Sequence, residues 1–196
     1  MSKTFSDWYD FFMKPLEQGK FKRIRSELLK RANGKVLELG SGTGINFPFY
    51  NGVEVTAIEP SEYMLNRSLK RREQAKVPIE LIQSGAEHLP FDDHTFDTVV
   101  ATLVFCTIPD VHQAMVEMKR VCKPGGKILM FEHVKMDHPF LARLQESLTP
   151  YWKKVCDGCC LNRETEQLIK KHGFKVIETK EFYRGLFITM VLNKEK

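Results

Sequence analysis

The sequence has no apolar run long enough to cross a bilayer, and its start lacks the continuous apolar core of a secretion signal. A cytoplasmic protein is therefore expected. It also has no internal repeat, no low-complexity linker and no sustained block of one charge. Lys plus Arg number 30 against 25 for Asp plus Glu. The basic residues at Arg23, Arg25, Lys30 and Arg31, and again at Lys70, Arg71 and Arg72, read as solvated helix faces and not as a nucleic-acid track. No nucleic-acid partner is expected, while weak peripheral contact with an anionic membrane surface stays open. Five cysteines are an odd number, and a chain of 196 residues is large enough to fold without crosslinks, so reduced thiols are expected. Oligomeric state leaves no mark in the sequence.

What is present is alternation. Short apolar runs at 36–39, 54–58, 79–82, 98–102, 127–131, 175–182 and 186–192 read as strands. Amphipathic stretches at 61–74, 111–121 and 163–172 read as helices between them. Two further helices, at 5–13 and 20–31, precede the first strand. The second carries Phe21, Ile24, Leu28 and Leu29 at helical spacing and stops at Asn33-Gly34. This order predicts an α/β fold with a Rossmann-like, mostly parallel seven-stranded sheet and helices on both faces. The last two strands are joined by a few residues around Arg184-Gly185, which suits a C-terminal antiparallel hairpin. Residues 1–34 are expected as N-terminal helices covering the active site, and 35–196 as the main domain of one globular unit.

The strongest local signal is Val36-Leu37-Glu38-Leu39-Gly40-Ser41-Gly42-Thr43-Gly44, a strand running into a turn with glycine at alternate positions. Glycine there lets the backbone bend sharply and approach a ligand. The dehydrogenase fingerprint needs its third glycine at 45, where Ile45 stands. Glu38 puts a carboxylate where an amino acid's ammonium is welcome, directly or through water, and where a pyrophosphate is repelled. Glu59, followed by Pro60, ends the next strand and is placed to accept both hydroxyls of a ribose. Met64, one turn into the following helix, either lies against an adenine or packs in the core. After the third strand comes Gly85-Ala86-Glu87; many relatives of such a fold place an acidic residue in this loop to accept an adenine amino group, and with Gly85 where an Asp is often found, the Ala86 backbone or Glu87 must serve.

In this order, the segments resemble the class I methyltransferases dependent on S-adenosylmethionine (SAM), from about Lys35 to the C-terminus. Leu89-Pro90-Phe91 with Phe96-Asp97-Thr98-Val99-Val100, and Val121-Cys122-Lys123-Pro124-Gly125-Gly126-Lys127, look like that superfamily's entries to the fourth and fifth strands. Asn46-Phe47-Pro48-Phe49-Tyr50, Thr102-Leu103-Val104-Phe105-Cys106-Thr107, Glu132-His133-Val134 and 157–165 resemble more closely the methyltransferase-like alkyl thiol methyltransferases. Those enzymes are anchored to membranes by an N-terminal apolar segment with no counterpart in these residues, so anchoring is not part of the expectation. The resemblance implies SAM as cofactor and S-adenosylhomocysteine as product. It places Gly40, Ser41, Gly42, Gly44, Asn46 and Leu103 with Glu38, Glu59, Pro60, Met64, Gly85, Ala86 and Glu87 at the cofactor.

Transfer of methyl from a sulfonium is an in-line displacement, so the protein's task is to align the reactants and exclude water. A thiolate needs little more, whereas a hydroxyl needs a base. Phe105, Cys106 and Glu132, at the ends of the fourth and fifth strands, are expected to border the acceptor. His133 is the candidate base by chemistry, set against a purely structural role. Asp157 is a second candidate, to orient or deprotonate a thiol. The stretch 139–151, with Phe140, Leu141, Leu144 and Leu148, is either an amphipathic lid or an ordinary packed helix. Cys156, Cys159 and Cys160 lack a second Cys pair or a nearby His, since His172 lies twelve residues on, so no metal site is expected. Asn162 looks like the cap of the next helix. The favoured acceptor is a small lipophilic thiol. The alternatives are a quinone precursor or phospholipid amine, and a non-catalytic SAM- or nucleic-acid-binding module.

Overall fold

The computed structural model describes residues 19–156 and 158–195. The helix expected at 5–13 and the candidate Asp157 lie outside them. In chain order the elements are α1 (Lys20–Leu29), β1 (Lys35–Leu39), a 3-10 turn (Phe47–Phe49), β2 (Glu54–Ile58), α2 (Glu62–Glu73), β3 (Ile79–Ile82), β4 (Phe96–Thr102), α3 (Val111–Val121), β5 (Cys122–His133), α4 (Pro139–Val155), α5 (Thr165–Lys171), β6 (Lys175–Phe182) and β7 (Phe187–Asn193). The seven strands form one sheet in the order β3-β2-β1-β4-β5-β7-β6. All pairs are parallel except β5–β7 and β6–β7, as the short connection at Arg184-Gly185 implies.

Strand periodicity sorts the core into two layers. Leu37, Leu39, Val99, Ala101, Ile128 and Met130 point to one face, where Met115 and Met118 of α3 and Ile169 of α5 cover them. Val36, Val100, Leu129 and Phe131 point to the other, against Phe21, Ile24 and Leu28 of α1 and Phe47 of the 3-10 turn. Both faces being covered explains why β1 and β4 read as continuous apolar runs and not as alternating ones. Helix starts follow local chemistry: Ser61 caps α2 by accepting from Met64 N at 3.4 Å, and Asp110 caps α3 by accepting from Gln113 N at 3.0 Å.

Two expectations are corrected, and the packing of the stretch left open at 139–151 is resolved. The ladder between β4 and β5 passes from Phe96–Cys122 to Thr98–Lys127, so residues 123–126 bulge from a strand that begins earlier than expected. Asn162 does not cap α5, whose N-cap is Glu164; its Oδ1 instead accepts from the Thr149 hydroxyl at 3.3 Å. In α4 the amphipathic pattern is turned outward. Phe140, Leu144, Leu148, Tyr151 and Val155 are exposed, while Gln145 and Thr149 are buried. Gln145 makes that inversion favourable, donating to the carbonyls of Val134 and Leu161 (both 3.0 Å) and accepting from Met136 N at 2.8 Å. Among the described residues no helix is long and apolar enough to cross a membrane.

Candidate active site

The strand order reverses between β1 and β4, and in such sheets a crevice opens at the carboxyl ends of the two diverging strands. The glycine turn lies there. Gly40 and Gly42 sit at φ of 58° and 54°, a region costly for a side chain. A Cβ on Gly40 would collide with the Val104 side chain, whereas one on Gly42 would meet only Met64 Cε at 3.7 Å, so its face is open. Gly44 serves packing, since a Cβ there would lie 2.5 Å from the Phe47 ring. The turn is pinned to the next strand. Ser41 N donates to the Ile58 carbonyl at 2.9 Å, and Gly42 N donates to Glu59 Oε2 at 3.1 Å. The other oxygen of Glu59 accepts from Ser61 N at 3.0 Å.

Behind the turn lies a buried polar network. Glu38 accepts from Asn46 Nδ2 at 2.9 Å and from the Tyr50 hydroxyl at 2.8 Å. Asn46 also reaches the Thr102 hydroxyl at 2.8 Å. Arg25 Nη1 donates to Asn46 Oδ1 at 3.0 Å and to Thr102 Oγ1 at 2.7 Å, and its guanidinium lies 5.5 Å from the centre of the Phe131 ring. Burial raises the Glu38 carboxyl to about 7, against the lowering effect of Tyr50, Asn46 and Arg25. Arg25 was expected on a solvated face, and the structure corrects this: it is 4% exposed. Its neighbour Ile24 belongs to the apolar stripe, and a single helix period cannot tell a flanking Arg that turns inward from one that turns out.

A cavity of about 660 Å³ opens beside this turn. Of the expected cofactor residues, Glu38, Gly40, Ser41, Gly42, Asn46 and Glu59 line it, as do Pro60, Met64, Gly85, Ala86, Glu87 and Leu103. Gly44 does not. Two expected pocket residues are also displaced. Phe105 is fully buried in the core, and Glu132 is fully buried under the loop after β4. Glu132 Oε1 accepts from Val104 N at 3.1 Å and Phe105 N at 3.2 Å, so it shapes the loop and does not touch the chamber. Leu103, at φ 53°, begins that loop in a conformation non-glycine residues seldom adopt, held by its N–H to the Phe131 carbonyl at 2.7 Å.

The far end of the cavity is bounded by Cys106, His133, Trp152 and Cys159 together with Leu161, Leu186 and Phe187. His133 Nε2 lies 3.2 Å from Cys159 Sγ, and its Nδ1 is buried without a hydrogen-bond partner. The sulfur of Cys106 joins them, and the three ligand-type atoms all lie within 4.8 Å of one another. Hydrogen bonding from Cys106 lowers the Cys159 thiol against the penalty of burial, with His133 and Trp152 adding to the effect. His133 loses basicity through burial but gains more from Cys159 and Glu132, so its net shift is upward. His133 thus does not stand alone at the cavity wall, because its Nε2 is already paired with Cys159. Cys106 lies in the loop after β4 and His133 ends β5, so no sequence spacing announces them.

Residues 37–130 match the family model described as a methyltransferase domain. The chain is 36% identical to the thiol S-methyltransferase TMT1B of Homo sapiens over 76% of this chain, and it spans 64% of that relative's length. It is 35% identical to the phosphatidylethanolamine N-methyltransferase of Cereibacter sphaeroides over 77% of this chain and 76% of that protein. Among solved structures, a SAM-dependent methyltransferase from Thermotoga maritima, described as a possible histamine N-methyltransferase, superposes with a TM-score of 0.72 at 24% identity, covering 98% of this chain and 97% of that one. That likeness speaks to the fold.

Proposed function

The chain belongs to the class I SAM-dependent methyltransferases, and from that premise we propose that it methylates the sulfur of a small lipophilic thiol. SAM is the methyl donor of the family, and when bound it supplies a methyl group made electrophilic by its sulfonium.

The residues at the glycine turn fit such a donor. Ser41 lines the cavity, and its Oγ is buried without a hydrogen-bond partner. Glu59 is oriented by two backbone N–H groups and lines the cavity, a position suited to the hydroxyls of a ribose. Glu38 and Asn46 offer polar atoms for the amino-acid end. The volume, about 660 Å³, lies within the roughly 300–1,000 Å³ usual for small-molecule sites.

The observation that carries the acceptor is the character of the chamber's far end. Leu161, Leu186, Phe187 and Trp152 make it apolar, and its polar corner consists of soft sulfur and imidazole groups. Such a wall favours a thiol with an alkyl or aryl body over an amine, which must shed a strongly hydrated charge to enter. The outward apolar face of α4, with Lys153 and Lys154 in its last turn, is the surface a lipid contact would use. Vesicle binding that vanishes in Phe140→Ser with Leu144→Ser supports that contact.

Incubation with SAM and a panel of alkyl and aryl thiols, read by mass spectrometry, tests the acceptor. S-methyl products without methylated phosphatidylethanolamine are expected. Equal turnover of both acceptors, or of the phospholipid alone, overturns the thiol assignment.

A further inference from the structure

We propose that Cys106, His133 and Cys159 form a binding site for one zinc ion inside the catalytic chamber, with the fourth coordination position turned to the acceptor. Three separate segments supply the ligands: the loop after β4, the last residue of β5, and the loop after α4. Their Sγ, Nε2 and Sγ atoms lie within 4.8 Å of one another, with 3.2 Å between His133 and Cys159. A tetrahedron built on Zn–S and Zn–N bonds of ordinary length has edges of roughly 3.5–3.8 Å. The observed cluster is thus near the required size, and small rotations of side chains reach it.

The donor chemistry points to zinc. Two thiolates and one imidazole are soft to borderline ligands, poor for calcium or magnesium and suited to zinc. A set of three protein ligands with one side open is the pattern of reactive zinc sites, while structural sites close with four. Here the open side is the cavity, since Cys106, His133 and Cys159 all line it. Cys106 is 4% exposed, so its thiol gives up its proton in that corner only with a cation beside it. The loop is braced for the purpose, with Cys160 N donating to the Cys106 carbonyl at 2.9 Å, which ties the two cysteine-bearing segments together.

Binding releases the two thiol protons to solvent and changes no oxidation state. An acceptor thiol taking the fourth position would likewise lose its proton to solvent and be held as a thiolate facing the donor. That last role rests on the thiol assignment, but the metal site does not.

The test uses the whole protein under reducing conditions. Metal content is measured after purification with zinc, and cobalt(II) is then titrated into chelator-treated protein. One ion per chain and an intense thiolate-to-cobalt charge-transfer band are expected. Cys159→Ser and Cys106→Ser should each weaken binding by roughly 100-fold, with Cys160→Ser retaining it. SAM titration and a cooperative melt show which variants remain folded. Wild-type protein that binds SAM yet gives no charge-transfer band overturns the site, as does a band that survives in the folded Cys106→Ser, Cys159→Ser double variant. Metal binding without thiol turnover leaves this site standing and removes the acceptor assignment; thiol turnover without metal binding does the reverse.

Discussion

Gly42 donates its backbone N–H to Glu59 Oε2 at 3.1 Å, so the turn after the first strand and the carboxylate ending the second are one unit. With Ser61 N on the other oxygen, the carboxylate holds two loops in place at the wall of the cavity. Glu59→Ala removes the acceptor of both bonds and the group proposed for the ribose. SAM affinity measured by calorimetry should fall roughly 100-fold, and Glu59→Gln, which keeps one acceptor, should lose roughly 10-fold. Unchanged affinity in the alanine variant would place the nucleoside elsewhere.

Backbone geometry makes a paired prediction about stability. Gly40 and Gly52 both have positive φ, 58° and 66°. A Cβ on Gly52 meets nothing within 4 Å, while one on Gly40 runs into Val104. Gly52→Ala should cost about 1 kcal/mol from φ strain alone, and Gly40→Ala about 3 kcal/mol or more. Denaturant melts of the two variants check the difference; equal losses would show that the Val104 contact yields freely.

Glu38 implies a pH dependence. Burial raises its folded pKa to about 7 from an ordinary 4.5, so the fold favours the protonated form. The stability this gives the free protein is fully present below about 4.5 and is lost as pH rises through about 7. An ammonium beside the carboxylate favours the anion, so SAM binding should expel a proton below about pH 7. Affinity should be flat above that value and fall by up to about tenfold per pH unit beneath it. Calorimetry in buffers of different ionisation enthalpy reads the released proton directly; no proton release near pH 6 would detach Glu38 from the ligand.

Arg25 joins α1 to the polar network by donating to Asn46 and Thr102. Arg25→Met keeps much of the apolar stem against Phe131 but leaves both acceptors without this donor. SAM affinity should drop roughly 10-fold, and Arg25→Lys should restore little, because the lysine ammonium ends short of the Nη1 position that reaches both acceptors. Full rescue by lysine would reduce the role of Arg25 to its charge.

The sequence by itself determined whatever depends on neighbours along the chain. Strand runs such as Glu54–Ile58 and Ile79–Ile82, the helix over Val111–Val121 and the glycine turn at 40–44 are local patterns of period and conformation. Glu59 stood out because it ends the strand after the glycine turn, and the structure brings it to that turn and to the cavity. Only the tertiary structure decided the rest. Arg25 turns inward because Asn46 and Thr102, 21 and 77 residues away, provide acceptors for it. The apolar stripe of α4 faces outward because Gln145 finds three backbone partners beneath it, at Val134, Met136 and Leu161. Glu132 is withdrawn from the chamber by two N–H groups of the loop after β4. Cys106, His133 and Cys159 meet because parallel strands and a returning loop end at one edge of the sheet. Satisfying buried polar groups is a condition on three-dimensional neighbours, and no periodicity in one dimension encodes which neighbours those are.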